Sequence, residues 1–169
     1  IVSDIVDSDC VIINTCGFLD EARREGIETI LEIEALKNNG KIDSVLVMGC
    51  MSERFGDELE EEISGVDKYF GSNDIEQIIQ YLCGKEYSLY DPDFNRTSLT
   101  PKHYGYLKIS EGCDNNCSFC SIPIMRGLQK SQPLAWNVQE AKRMGGSGTK
   151  EILVIAQDST AYGWDLTPK

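Results

Sequence analysis

Through the first half of the chain, short apolar runs are separated by longer amphipathic stretches. Val11, Ile12 and Ile13 form a β-branched run that stops at Asn14-Thr15-Cys16-Gly17. The next stretch, Leu19 to Lys37, puts Ile27, Ile30, Leu31 and Ala35 at i, i+3, i+4 and i+8, the spacing of one helical face. Asn38-Asn39-Gly40 supplies residues that end helices. Val45–Met48 is a second run, followed by Gly49-Cys50 and by a polar helix predicted over Glu53–Ile63. Tyr69-Phe70 is a third, after which Asp74 is expected to cap a helix from Ile75 to Leu82. Strands this apolar, alternating with helices, predict an α/β fold with an open parallel sheet covered on both faces.

The pattern breaks from about Gly84 to Lys102, where Pro92, Asn95, Ser98 and Pro101 mark a linker that has room for short strands. It resumes with a strand predicted over Tyr104–Ser110, a helix around Trp136–Met144 and a last strand over Glu151–Ala156. The division expected is an N-terminal α/β domain over 1–88, a linker over 89–102 and a second domain over 103–169. No internal repeat or low-complexity tract interrupts it.

Charge sharpens the division. The 169 residues carry a net charge of −12. Residues 1–90 hold 20 acidic and 7 basic residues, while residues 91–169 hold 8 and 9. An acidic surface repels phosphate, so direct nucleic-acid contact is not expected from this stretch, and a basic protein suits it better. The plainer reading is a solvated face that keeps the domain soluble. With 41% hydrophobic residues a packed core is within reach. No apolar run approaches a membrane span, and the acidic first ten residues lack the basic start of a secretion signal. A cytoplasmic chain is expected. The start at Ile1 and the stop at Lys169 suggest a piece of a longer protein.

Seven cysteines, an odd number without a secretion signal, argue against a disulfide framework. Cys113, Cys117 and Cys120 fall within eight residues as C-x3-C-x2-C. Soft thiolates at this spacing select zinc or an iron–sulfur cluster. Structural zinc takes four ligands, and the fourth would have to come from His103 or elsewhere. A 4Fe–4S cluster on three thiolates keeps one iron open for a substrate. Cys16 and Cys50 each follow an apolar strand, and parallel strands gather function at their carboxyl ends. Two adjacent strands would bring these thiols to one edge, with Cys10 at the opposite edge. From the residues alone, ligand and core readings of Cys16 and Cys50 stand level. Cys10 and Cys83 read as small buried hydrophobes.

The cysteine loop after a strand resembles the radical S-adenosylmethionine superfamily. That resemblance implies an open iron that chelates S-adenosylmethionine and an electron that cleaves its sulfonium bond to give a 5′-deoxyadenosyl radical. It also implies that Phe119 lies by the adenine, and that Gln157 and Asp158, in Ala156-Gln157-Asp158 where Gly-Gly-Glu is usual, meet the methionine amino group. The plain alternative for those two is a polar turn after a strand.

Both halves together resemble the methylthiotransferases. The match rests on Asn14-Thr15-Cys16-Gly17-Phe18 and Gly49-Cys50, on Tyr106-Leu107-Lys108-Ile109-Ser110-Glu111-Gly112-Cys113, and on Ile122-Pro123 followed by Met125-Arg126-Gly127. Cys16-Gly17-Phe18 with its helix, and Ala156–Gly163, fit the subfamily acting on ribosomal protein. The resemblance implies that 103–169 is the first part of a partial TIM-like radical barrel. It implies two 4Fe–4S clusters, one on Cys113, Cys117 and Cys120 and one on Cys16, Cys50 and a third cysteine that does not align with Cys10. The implied reaction adds a methylthio group to an aspartate β-carbon in small-subunit ribosomal protein twelve, with tRNA adenosine as the alternative substrate. Ser131-Gln132-Pro133 departs from the family's Ser-Arg-Pro, and the isolated piece is expected to be inactive. His103, Tyr104 and Tyr106 read as cover for a strand entrance, and Arg126 is given no role. Neither the electron donor nor the sulfur source is legible.

Overall fold

The computed structural model describes residues 4–86 and 100–166. The chain divides between residues 87 and 88 into two compact units. The predicted linker strands fall within residues 87–99, outside the described residues.

In the first unit, β1 (Cys10–Thr15), β2 (Ser44–Gly49) and β3 (Lys68–Tyr69) form a parallel sheet in the order β1-β2-β3. Helix α1 (Asp20–Asn38) joins β1 to β2, and α2 (Cys50–Glu62) joins β2 to β3. Helix α3 (Ile75–Cys83) follows. The register pairs Val11 with Val45 and Thr15 with Gly49, as the apolar runs predict. Successive side chains of a strand point to opposite faces. Val45 and Val47 therefore join Ile13, Ile30 and Ile33 of α1, and Met51 and Leu59 of α2, in one core. Leu46 faces the other way, onto Phe70 and Ile78.

The sheet is covered on both faces at β2, where Val45, Leu46 and Val47 are fully buried, but not at β1, where Ile12 is 42% exposed. The reason is that α3, the helix on the Leu46 face among the described residues, spans nine residues and packs through Ile78 against Leu46 and Phe70. The buried face of α1 is also rotated from the predicted one. Ile30 and Ile33 point inward, while Ile27 and Leu31 are exposed along a cleft of about 570 Å³ between α1 and α2. Helix α2 begins at Cys50, three residues before the predicted start, because Gly49 turns the chain directly from strand to helix. Asp74 precedes α3 but does not cap it through its side chain. Its carboxylate instead closes the preceding turn, accepting the Gly71 N–H at 2.7 Å.

Asp67 ties three elements together. Its carboxylate accepts the Val45 N–H at 2.7 Å and the Lys37 ammonium at 2.6 Å. Burial pushes the carboxyl upward, but the Lys37 and Val45 hydrogen bonds outweigh it and hold it below its ordinary value of 3.8. A depressed carboxyl stabilises the fold above its unfolded pKa, and that contribution is lost as pH falls through the folded value. Asp67→Asn is expected to cost about 1 kcal/mol at pH 7. Urea unfolding at neutral pH and at a pH well below 3.8 should show wild type and variant converging in acid. An undiminished gap there would remove Asp67 from the account.

In the second unit, β4 (Tyr104–Lys108) and β7 (Glu151–Ile155) pair in parallel, and β5 (Ser110–Glu111) and β6 (Lys130–Ser131) pair antiparallel. Helix α4 (Ile122–Arg126) lies between β5 and β6, and α5 (Leu134–Gly146) precedes β7. The strand predicted over Tyr104–Ser110 is thus two strands. The break falls at Ile109, whose N–H goes to Ile155 while its carbonyl takes the Gln132 N–H, so pairing changes from β7 to the segment at β6. Among the described residues, no helix is long and apolar enough to cross a membrane.

Candidate metal centre

The first group of thiols sits at the carboxyl edge of the parallel sheet. Thr15 and Gly49 are partners in register, and Cys16 and Cys50 are the next residues along each chain. Cys10 pairs with Ser44 at the opposite end. Two glycines bring the turns together. A Cβ on Gly17 would lie 2.6 Å from the Cys50 carbonyl oxygen, so only glycine permits this approach. Gly49 has φ +107°, and a Cβ there would lie 2.4 Å from the Thr15 carbonyl oxygen. The Thr15 hydroxyl donates to the Met48 carbonyl at 2.7 Å, closing the same edge. Cys50 is buried and Cys16 exposed. Cys83 is exposed at the end of α3 and Cys10 is half-buried, so the buried reading fits Cys10 in part and Cys83 not at all. A short amphipathic helix leaves its last turn in solvent.

The second group lies on the loop between β5 and α4. Cys113 is buried, Cys117 exposed and Cys120 half-buried, and all are free thiols. The Cys113 N–H donates to the Gly127 carbonyl at 3.1 Å, and the Cys120 N–H closes a turn on the Cys117 carbonyl at 3.0 Å. Asp114 accepts the Gln129 N–H at 2.7 Å. The bonds at Cys113 and Asp114 tie the start of the loop to the unit, the Cys117–Cys120 turn shapes its far end, and the centre is left to solvent. Among the described residues, no three Cys, His, Asp or Glu side chains close into a ligand set.

The end of β7 is joined to this loop by two bridges. The Asn115 side-chain N–H reaches the Cys113 sulfur at 3.3 Å and the Asp158 carboxylate at 2.9 Å. The Gln157 amide donates to Glu111 at 2.6 Å. Hydrogen bonds from the Thr160 hydroxyl and then from Asn115 hold the Asp158 carboxyl below the usual carboxylate range. Glu111 is 7% exposed and is also paired with Lys108 and, at 3.6 Å, with Arg126. The structure therefore brings Gln157 and Asp158 to the Cys113 loop. Phe119 is 91% exposed. His103 is exposed, and its carbonyl receives the N–H groups of Lys150 and Glu151 where β4 begins.

The sequence reading missed Glu111 and Asn115. Both stood inside quoted motifs, but nothing local marks a carboxylate or an amide whose partners lie 46 and 43 residues away. The donor chemistry at the second group fits an iron–sulfur cluster: three soft thiols on one loop and an N–H directed at one sulfur, the kind of bond that tunes such centres. The α1/α2 cleft is lined by none of these residues.

Residues 1–71 match the family described as Uncharacterized protein family UPF0004. The chain is 47% identical over 163 residues to the ribosomal protein uS12 methylthiotransferase RimO of Flavobacterium johnsoniae, covering 96% of this chain and 37% of that protein. It is 47% identical over 171 residues to the RimO of Chloroherpeton thalassium, covering 100% and 38%. It is 49% identical over 162 residues to that of Porphyromonas gingivalis, covering 95% and 37%. The chain thus spans little more than a third of the length of these relatives, and across nearly all of its own residues it is similar to these methylthiotransferases.

Proposed function

We propose that this chain is part of a cytoplasmic radical S-adenosylmethionine enzyme that adds a methylthio group to the β-carbon of an aspartate in ribosomal protein uS12. The observation that carries the reading is the thiol loop of Cys113, Cys117 and Cys120 bridged to Gln157 and Asp158 at the end of β7. Its named relatives support the substrate. The parallel β4–β7 pair, joined through α5, supports residues 103–169 as the start of a radical barrel.

In this reading Cys113, Cys117 and Cys120 hold one 4Fe–4S cluster, and Cys16 and Cys50 contribute to a second with a further thiol. When bound, such clusters supply the electron that cleaves S-adenosylmethionine and the site that carries the sulfur. An unactivated C–H bond needs such radical chemistry, and the protein's share is to bind, orient and exclude water. With Cys117 and Phe119 exposed, the loop would leave a bound cluster accessible to S-adenosylmethionine, and Phe119 would lie by its adenine. Gln157 and Asp158 supply an amide oxygen and a carboxylate to its ammonium group. Gly17 and Gly49 hold the two sheet-edge thiols together. The acidic surface of residues 1–90 receives the basic ribosomal protein and disfavours tRNA.

A strain lacking the gene is expected to yield uS12 lighter by the difference between a methylthio group and the hydrogen it replaces, restored by the protein that contains this chain, with digested tRNA unchanged. Loss of a tRNA nucleoside with uS12 intact would transfer the reading to the tRNA substrate.

A further inference from the structure

The geometry points to Glu111 as a positioning residue that fixes the amide orientation of Gln157 for S-adenosylmethionine, an inference that rests on the proposed function. Glu111 divides its two oxygens. One takes the Gln157 N–H at 2.6 Å, and the other faces Lys108 and Arg126. An amide has one donor end and one acceptor end. Because Glu111 accepts from the nitrogen end, the acceptor oxygen of Gln157 is left as the end available to a ligand. Gln157 itself is exposed at the carboxyl end of β7, while Glu111 is buried two residues before Cys113. A buried carboxylate flanked by two cations is a fixed acceptor, so the amide has one favoured orientation. That orientation suits a ligand's ammonium group and opposes a carboxylate. Glu111 touches neither ligand nor cluster in this account. It acts through Gln157.

The pair also admits an exchange of roles. Glu111→Gln is isosteric but cannot satisfy both sides with Gln157 in place. Turning its amide oxygen toward Gln157 sets its own N–H groups against Lys108 and Arg126, and the reverse sets two amide donors together. Adding Gln157→Glu resolves this. The amide at position 111 then donates to the carboxylate at position 157 and keeps its oxygen on the two cations.

The test uses the full protein containing this chain, reconstituted anaerobically, with S-adenosylmethionine as the probe. Affinity is read by equilibrium dialysis, iron content by assay and folding by circular dichroism. E111Q is expected to weaken binding about tenfold with iron unchanged. E111Q/Q157E is expected to return within about threefold of the wild type. E111A serves as a second variant and should match E111Q in affinity. Unchanged affinity in both E111Q and E111A would overturn the inference, as would a double variant weaker than E111Q alone. Loss of iron in E111Q without loss of fold would also overturn it, because Glu111 would then serve the cluster and not Gln157. Failure of the wild-type protein to bind iron or S-adenosylmethionine overturns the proposed function and takes this inference with it, and that result is read before any variant is made.

Discussion

Replacing Cys113, Cys117 and Cys120 together by alanine is expected to remove about four iron atoms per chain after anaerobic reconstitution, and with them all cleavage of S-adenosylmethionine. The expectation rests on three free thiols that fall within eight residues on one loop. The cost to folding is small. Cys117 is exposed and Cys120 half-buried, and loss of the one buried sulfur, on Cys113, is worth about 1 kcal/mol. The loop is also held by bonds that survive the change, from the Cys113 N–H to Gly127 and from the Gln129 N–H to Asp114. Cys16 and Cys50 lie on the first unit, so iron held at the second site proposed there should remain. Iron and sulfide assays on the triple variant beside a Cys16→Ala/Cys50→Ala variant separate the two sites. Equal iron in the triple variant and the wild type would end the cluster reading of the loop, and loss of zinc in place of iron would reassign it.

Gly49→Ala should cost about 3 kcal/mol or more. Gly49 combines φ +107° with a Cβ position 2.4 Å from the Thr15 carbonyl oxygen. That oxygen belongs to the paired strand, so relief requires β1 and β2 to separate where Cys16 and Cys50 meet. The variant should therefore lose cluster occupancy at the sheet edge along with stability. Gly56, in α2, provides the control, since a Cβ there meets nothing within 4 Å. Gly56→Ala should be neutral or stabilising by up to about 1 kcal/mol. Thermal unfolding of the two variants reads the difference, and a Gly49→Ala protein as stable as Gly56→Ala would contradict the role given to the close approach.

In the first unit the elements and their order were legible in the residue pattern, whereas in the second α4 and β6 were not. β-branched runs of three or four residues, each followed by a helical period, can satisfy their backbone and bury their side chains in few ways, and right-handed crossovers leave one arrangement. From that alone the adjacency of Val11–Ile13 and Val45–Met48 followed, and with it the meeting of Cys16 and Cys50 and the separation of Cys10. Burial along α1 was not legible to the same degree. Ile27 and Ile33 are equally apolar, and only the position of α2 decides that Ile33 enters the core while Ile27 lines the cleft.

The sequence by itself determined that three thiols share one loop and two share one sheet edge, because covalent spacing and strand period are local properties. It also carried the resemblance to the methylthiotransferases, since that rests on short contiguous motifs. The tertiary structure alone decided how the second unit is joined. The break at Ile109, the burial of Glu111, and the bonds from Asn115 to Asp158 and from Gln157 to Glu111 arise where distant segments cross. A hydrogen bond depends on distances of a few tenths of an ångström and on angle. Residue type shows what each side chain can donate or accept, and only the folded chain selects the partner.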